Sequence, residues 1–146
     1  MKQGMYLILA LLLISACATP QKPSTTIHGA VAKQSLEDVK KYVKQGMIEE
    51  KDVNGFTPLM VAAYYGYTPV LKFLLENGAN VDATDKNGWT ALMYSTSYDS
   101  IDDVKLLIDH KASLNIKNNK GHTALYYAEN YKYERIVKLL KEKGAK

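Results

Sequence analysis

The amino-acid sequence predicts an all-α repeat protein, a solenoid of about four helix-turn-helix repeats joined by hairpin loops. Three observations predict this class. A segment that begins at Asp52 recurs at intervals of 33 residues, each copy leads into an apolar run with helical spacing, and glycines recur at fixed places between the runs. We assign the repeat domain to residues 26–146, with repeats of about 26–51, 52–84, 85–117 and 118–146.

The opening segment of the repeat is D-V-N-G-F-T-P-L-M at residues 52–60. It recurs as D-K-N-G-W-T-A-L-M at residues 85–93 and as N-N-K-G-H-T-A-L-Y at residues 118–126. The apolar runs that follow occupy residues 70–75, 103–108 and 136–141. A fainter copy at the start comes into register when Gly46 is aligned with Gly78. The chain therefore contains three clear repeats and one divergent first repeat.

Each recurring position has a physical role. A glycine supplies the positive φ of the hairpin turn, and a threonine two residues later caps the first helix of the repeat. Pro58 starts that helix where no amide hydrogen is needed. A second glycine follows the second helix as a left-handed cap. The turn glycines are Gly55, Gly88 and Gly121, the capping threonines are Thr57, Thr90 and Thr123, and the helix-end glycines are Gly46, Gly78 and Gly144.

These motifs resemble the ankyrin repeat, with its D-x-x-G-x-T-P-L-H-x-A-A opening and its L-L-x-x-G-A-x-V-N ending. The resemblance covers residues 24–146. It implies paired antiparallel helices and a concave binding face built from the hairpin tips and the exposed side of the first helices.

The third repeat departs furthest from this pattern. Lys111 stands where the helix-end glycine belongs, Asp99 replaces the glycine between the helices, and Ser95-Thr96 replaces an alanine pair. A non-glycine residue in a left-handed cap costs on the order of 1 kcal/mol. We predict that this repeat opens first.

The last repeat ends in a polar helix. Lys141 occupies the place of Leu75 and Ile108, and Lys138, Glu142 and Lys143 surround it. A terminal repeat needs a polar outer face for solubility, so we interpret this surface as a solvated cap. Contact of the lysines with anionic lipid headgroups is the alternative.

The N-terminal segment predicts export. Lys2 precedes a charge-free apolar block at residues 5–14. A membrane-spanning helix needs about 20 such residues, whereas a signal peptide needs only about 7 to 15. Residues 1–16 are therefore predicted to be a cleaved signal peptide.

The end of that segment, I-S-A-C at residues 14–17, resembles the lipobox of bacterial lipoproteins. The resemblance implies that Cys17, the single cysteine of the chain, is acylated and becomes the first residue. Residues 17–25 would then form the lipidated terminus and a flexible tether. Ala18, in place of an aspartate, favours the outer membrane and a periplasmic orientation; in a Gram-positive host the same signals place the protein outside the cell. An ordinary signal peptide with an incidental Cys17 is the alternative.

Composition and motifs argue against catalysis. The formal charge of +4 falls to +3 when Lys2 is removed, too small a surplus to indicate nucleic-acid binding. With Cys17 acylated, no thiol remains for a disulfide, a metal or a nucleophile. His28, His110 and His122 lack metal-ligand spacing, and no common catalytic motif occurs. We predict a protein that is not an enzyme and needs no metal or cofactor.

The candidate binding residues are aromatic and recur at the same register in successive repeats. Phe56 and Trp89 follow the turn glycines, where the core places no demand on an apolar ring. Aromatic side chains bury a large area at low entropic cost and are frequent interface hot spots. The predicted partner-binding set is Phe56, Tyr64, Tyr65, Trp89, Tyr98, His122 and Tyr131, with a polar rim of Lys86, Asn87, Asn119 and Lys120. Because the chain has eleven tyrosines, internal packing of the rings is the alternative.

The sequence thus predicts a monomeric, non-catalytic protein-protein interaction module held by lipid at the bacterial envelope. Its partner is a protein, and the candidate roles are immunity against a toxin, inhibition of an enzyme, or service as an accessory to a secreted enzyme. The alternative is a general envelope scaffold or stress-protection protein without one tight partner.

Overall fold

A computed structural model describes residues 26–146, in which eight α-helices, one short 3-10 turn and no β-strand occur. The helices are α1 (Ile27–Ala32), α2 (Leu36–Lys44), α3 (Pro58–Tyr65), α4 (Thr68–Glu76), α5 (Ala91–Ser97), α6 (Ile101–Asp109), α7 (Ala124–Asn130) and α8 (Glu134–Glu142), and the 3-10 turn is Met47–Glu49. The predicted signal peptide, Cys17 and the tether to residue 25 lie outside the described residues.

The helices form four antiparallel pairs stacked in chain order. The first helices α1, α3, α5 and α7 contact one another in succession, and the second helices α4, α6 and α8 form an adjacent layer. The core runs between the layers and includes the fully buried Leu59, Leu71, Leu92, Leu107 and Leu140. The predicted all-α solenoid is confirmed.

The first helix of each repeat begins at a threonine. Thr57 Oγ1 accepts a hydrogen bond from the Met60 amide at 3.3 Å, and Thr90 and Thr123 cap α5 and α7 in the same way. Each bond satisfies one of the amides that the first turn of a helix leaves unpaired. The predicted capping role of the three threonines is confirmed.

The ends of the second helices adopt the predicted left-handed backbone. The φ angle is +87° at Gly78, and Lys111 adopts +67° at the equivalent place in the third repeat. At the junction between paired helices Asp99 has φ +55°, but so does Gln34, and Lys132 has +61°. Three of the four repeats thus have a residue other than glycine at this junction, and only the second repeat has a glycine, Gly66. The expectation that Asp99 sets the third repeat apart is therefore wrong.

The third repeat buries polar groups where its neighbours bury apolar ones. Ser95 and Thr96 are fully buried in the place of Ala62 and Ala63, and their hydroxyl groups have no hydrogen-bond partner among residues 26–146. Asp103 is also fully buried, in the register of Val70 and Ile136.

Two rows of hydrogen bonds tie consecutive repeats together. Along the hairpin edge, the Lys86 amide donates to the Asn54 carbonyl (3.1 Å), and the Asn119 amide donates to the Asn87 carbonyl (3.0 Å). A Cβ atom on Gly88 would lie 3.0 Å from the Asn119 amide nitrogen, so close approach of the hairpins requires glycine there. At the other edge, the loops after the second helices are joined by the pairs Glu49–Asn80, Asp82–Ser113 and Asn115–Lys146.

The C-terminal end of the stack is polar, as predicted. Leu75 is buried, whereas Lys141 at the same register is exposed and forms an ion pair with Glu129 at 2.7 Å. Among residues 26–146, no helix has both the length and the apolar character needed to span a bilayer.

Candidate protein-binding surface

The hairpins that border the concave face are shaped by one side chain each. Asp52 Oδ1 accepts hydrogen bonds from the amides of Asn54 and Phe56, at 2.8 and 2.9 Å. Asp85 and Asn118 hold the second and third hairpins through the same pair of bonds. Short polar side chains that fold back on their own turn fix its shape. The residue after each turn glycine is thereby held at the edge of the concave face.

Two tyrosines of the first helices reach back to these turn residues. The Tyr94 hydroxyl donates to Asp85 Oδ2 at 2.6 Å, and Asn118 Nδ2 donates to the Tyr127 hydroxyl at 2.7 Å. Both tyrosines are buried. Burial, together with the hydrogen bond to Asp85, raises the pKa of Tyr94 well above its ordinary value. The two tyrosines therefore link each hairpin to the first helix of its repeat.

The buried tyrosines and the hairpin rings form a four-ring stack. Its order is Phe56, Tyr94, Trp89, Tyr127, with ring centroids 5.1, 5.0 and 4.5 Å apart. Such separations lie in the range of attractive aromatic pairs. Phe56 and Trp89 are half-buried and pack against the core. The expectation that they are free of the core is wrong, because the tyrosine behind each hairpin provides a surface on which the ring lies.

The other predicted tyrosines remain accessible to a partner. Tyr64, Tyr65, Tyr98 and Tyr131 are 38%, 53%, 53% and 46% exposed. Tyr64 bridges Tyr65 and Tyr98, with centroids 5.0 and 4.9 Å away, while Tyr131 lies 6.2 Å from Tyr127. Interaction with the Tyr64 hydroxyl, aided by burial, raises the pKa of Tyr98 to about 12. We call Tyr65, Tyr98 and Tyr131 the outer tyrosine row, since they share one register.

The remaining predicted residues lie at the hairpin edge. His122 is half-buried and stacks on Tyr126, with centroids 3.7 Å apart. Lys86, Asn87, Asn119 and Lys120 are all exposed. The side-chain amide of Asn119 already makes a hydrogen bond within the protein, since its Nδ2 donates to the Lys86 carbonyl at 3.0 Å. Within residues 26–146, the ammonium groups of Lys86 and Lys120 form no ion pair, so they leave positive charge beside the aromatic surface.

The predicted set thus divides into two kinds of residue. Internal packing accounts for the hairpin rings Phe56 and Trp89, while the outer tyrosine row remains exposed. Whether any of these residues binds a partner stays a prediction.

Sequence reasoning missed an open cavity of about 450 Å³ at the first-repeat end of the surface. It is lined by His28, Gly29, Asp52, Phe56, Val61 and Tyr64, among others. His28 Nε2 donates to the Phe56 carbonyl at 2.8 Å and so joins the first repeat to the second hairpin. The signal was present in the repeat alignment, where Val61 stands in the register of Tyr94 and Tyr127.

The described residues offer little to a metal ion or a reaction. Among residues 26–146, no three side chains of His, Cys, Asp or Glu lie close enough together to hold a metal ion. The carboxyl group of Asp103 is fully buried. Burial raises its pKa, and the Thr68 and Ser100 hydroxyls offset part of that rise. Asp103 lies between helices and away from the cavity.

Comparison with known families identifies the repeat. Residues 78–146 match a model described as ankyrin repeats (3 copies), and residues 47–95 match one described as ankyrin repeats (many copies).

Three curated proteins are similar in sequence to part of this chain. Protein phosphatase 1 regulatory subunit 27 is 42% identical over 59 residues in the human form and 41% over 58 residues in the mouse form. The human DNA-binding protein RFXANK is 36% identical over 59 residues. These alignments cover 40%, 39% and 39% of this chain and 38%, 38% and 23% of the three relatives. The chain therefore spans well under half the length of the relatives it matches.

Proposed function

We propose, since residues 47–146 of this chain are ankyrin repeats, that it binds one protein partner through its concave aromatic surface and catalyses no reaction. The observation that carries the proposal is the outer tyrosine row, three exposed phenols repeated at one register on a rigid stack. Exposed aromatic residues in series are costly for solubility and are characteristic of interaction sites.

The chemistry of the row suits a protein surface. Tyrosine combines a large apolar ring with a hydroxyl group, and it loses little conformational entropy when bound. The four-ring stack beneath the row holds the hairpins in place before a partner arrives. Such preorganisation lowers the ordering cost of association.

The charge beside the row suggests the character of the partner. Lys86 and Lys120 lie at successive hairpin tips, and neither forms an ion pair with a described residue. Charges at the rim of an interface act mainly on orientation and association rate. We expect a partner with an apolar centre and an acidic margin that faces these hairpins.

The relatives bear on the role of this binding. Two of them are named as regulatory subunits of a phosphatase, which supports regulation of an enzyme by binding. Inhibition of an enzyme or toxin, including immunity, is the corresponding proposal for this chain. We further propose that the module is tethered to the bacterial envelope by acylated Cys17, with the outer membrane as the favoured site.

Replacement of the outer tyrosine row tests the binding surface. The triple variant Tyr65→Ser, Tyr98→Ser, Tyr131→Ser should lose the crosslinked partner and weaken its binding at least about 100-fold, because hot-spot aromatics contribute most of an interface. Crosslinking in the native envelope, followed by affinity capture and a binding titration with the recovered partner, measures this.

The matched control is Tyr126→Ser. Tyr126 is exposed too, but its register is that of Met60 and Met93, which are buried under a following repeat. It therefore lies at the C-terminal end of the stack, where it contacts His122 but no member of the outer tyrosine row, and its replacement should leave binding by that row unchanged. Equal binding by the wild type and the triple variant would contradict the proposed surface. Many weak crosslinks, none sensitive to the row, would favour the general scaffold instead.

The tether has its own test. Cys17→Ser should move the protein from the membrane to the soluble envelope fraction, because acyl chains contribute about 0.8 kcal/mol per buried methylene. The thermal unfolding midpoint of the repeats should not change. Fractionation of cells that express either form measures the shift. Retention of Cys17→Ser on the membrane would contradict lipid anchoring.

A further inference from the structure

The cavity beside Phe56 corresponds to a position that a tyrosine ring fills in the next two repeats. Tyr94 and Tyr127 lie 33 and 66 residues after Val61. The ring of Tyr94 lies against Phe56 and Tyr64 of the repeat before it and against Trp89 of its own repeat. Val61 is too short to fill the same space in the second repeat, and the cavity results.

The neighbouring first repeat leaves the space open as well. Gly29 and Ala32 line the cavity on that side. With the 32-residue offset that aligns Gly46 with Gly78, these residues correspond to Val61 and Tyr64, which contribute larger side chains one repeat later. The cavity is therefore wide enough for a ring and lies within the size range of sites that hold small ligands.

At the polar end of the cavity lies a hydrogen-bond acceptor that the described residues leave unoccupied, the second carboxylate oxygen of Asp52. Asp52 Oδ1 holds the hairpin, but Asp52 Oδ2 accepts no hydrogen bond from any residue between 26 and 146. In the third repeat the equivalent oxygen of Asp85 accepts the Tyr94 hydroxyl at 2.6 Å. A carboxylate oxygen that is partly withdrawn from water is a strong acceptor for a phenol.

Its apolar end is the terminal ring of the four-ring stack. Phe56 contacts Tyr94 at a centroid distance of 5.1 Å and also lines the cavity. A ring that entered the cavity would extend the stack by one member. An aliphatic side chain could fill the space but would leave Asp52 Oδ2 without a donor.

We propose that this cavity receives a tyrosine side chain of the partner protein, which stacks on Phe56 and donates its hydroxyl to Asp52. The inference rests on the proposed function and specifies the residue that the partner contributes. Tyr94 and Tyr127 provide the template for the bound geometry inside the same molecule.

The first test uses free amino-acid amides as probes of the full chain. N-acetyl-L-tyrosinamide should produce saturable amide shifts at Asp52, Asn54 and Phe56 in NMR titrations, with millimolar affinity. N-acetyl-L-phenylalaninamide should bind roughly tenfold more weakly, because it lacks the hydrogen bond to a charged acceptor. Absence of saturable shifts, or equal affinity of the two probes, would overturn the proposal.

A variant that fills the cavity from within gives the second test. Val61→Tyr should abolish the tyrosinamide shifts, with a melting temperature at or above that of the wild type, because the new side chain copies Tyr94. The control Val53→Tyr adds the same ring at an exposed position outside the cavity lining and should keep the shifts. Persistence of binding in Val61→Tyr would place the probe elsewhere and refute the assignment. Nuclear Overhauser contacts from residues before Thr26 into the cavity would refute it too, because the chain would then fill its own cavity.

Binding of the recovered partner by the two variants distinguishes a failure of this proposal from a failure of the proposed function. Loss of binding in the triple tyrosine variant and in Val61→Tyr supports both. Loss in the triple variant alone retains the concave surface and rejects the tyrosine cavity. Unchanged binding in both variants rejects the proposed function.

Discussion

Replacing Asp103 by valine is expected to stabilise the protein at pH 7 by about 2 kcal/mol, an unusual gain for one substitution. Asp103 is fully buried, and neither carboxylate oxygen makes a well-formed hydrogen bond to the part of the chain that the structure describes. The equivalent residues Val70 and Ile136 are buried and apolar. Valine therefore restores the packing that the other repeats use and removes the cost of a buried charge.

The gain should depend on pH in a defined direction. Burial raises the pKa of Asp103 above the unfolded value of 3.8. A carboxyl group with a raised folded pKa contributes stability that is fully present below the unfolded pKa and lost as pH rises through the folded pKa. The advantage of Asp103→Val over the wild type should therefore shrink as the pH is lowered from 7 towards 4.

Urea denaturation of both proteins at several pH values measures this difference. Asp102→Asn is the matched control, because Asp102 is the exposed neighbour and its replacement should change stability by less than about 0.5 kcal/mol. A destabilised Asp103→Val, or a difference that grows on acidification, would show that the carboxylate is satisfied in the folded state.

Hydrogen exchange should show that the third repeat opens first. Amides of α5 and α6 are expected to be less protected than those of α3 and α4. Lys111 has a left-handed backbone, and the buried hydroxyl groups of Ser95 and Thr96 have no hydrogen-bond partner within the described residues. Tyr67 and Tyr133 donate to carbonyls of the preceding repeats at 3.2 and 3.4 Å. The third repeat has Ser100 in that register, and no equivalent bond forms there between described residues.

A pair of reciprocal substitutions tests whether the left-handed backbone of Lys111 is the main cause of the early opening. Lys111→Gly should raise the free energy of unfolding by about 1 kcal/mol, and Gly78→Ala should lower it by a similar amount. A Cβ atom on Gly78 would meet no atom within 4 Å, so the second change reports backbone strain alone. Greatest protection in α5 and α6, or no gain from Lys111→Gly, would contradict the order of opening.

The fold was predictable because its determinants are local. The threonine caps, the turn glycines and the helix ends act within a few residues, and they can be recognised in the sequence because they recur every 33 residues. The exposure of the outer tyrosine row was predictable for the same reason. The left-handed backbone of Gln34 and Lys132 was not, since the repeat geometry overrides the preference of each residue for negative φ.

The burial of individual rings was harder to predict because it depends on neighbours in other repeats. Phe56 and Trp89 occupy exposed positions in the motif, but Tyr94 and Tyr127 draw them into a stack. The cavity arises from the small side chain of Val61 and the small residues of the first repeat together. In the sequence, Asp103 looks like an exposed acidic residue of a first helical turn. Only its alignment with the apolar Val70 indicates that it is buried.

The hydrogen bonds between repeats also bear on how the chain folds. In the described part, they join residues 28 to 36 positions apart. Each added repeat therefore closes a loop of the same short length, so the entropic cost of loop closure does not grow along the stack. Topologies with contacts this local fold quickly, and folding can spread from any stable pair of repeats. We expect the rate to be set by growth across the junction between the second and third repeats.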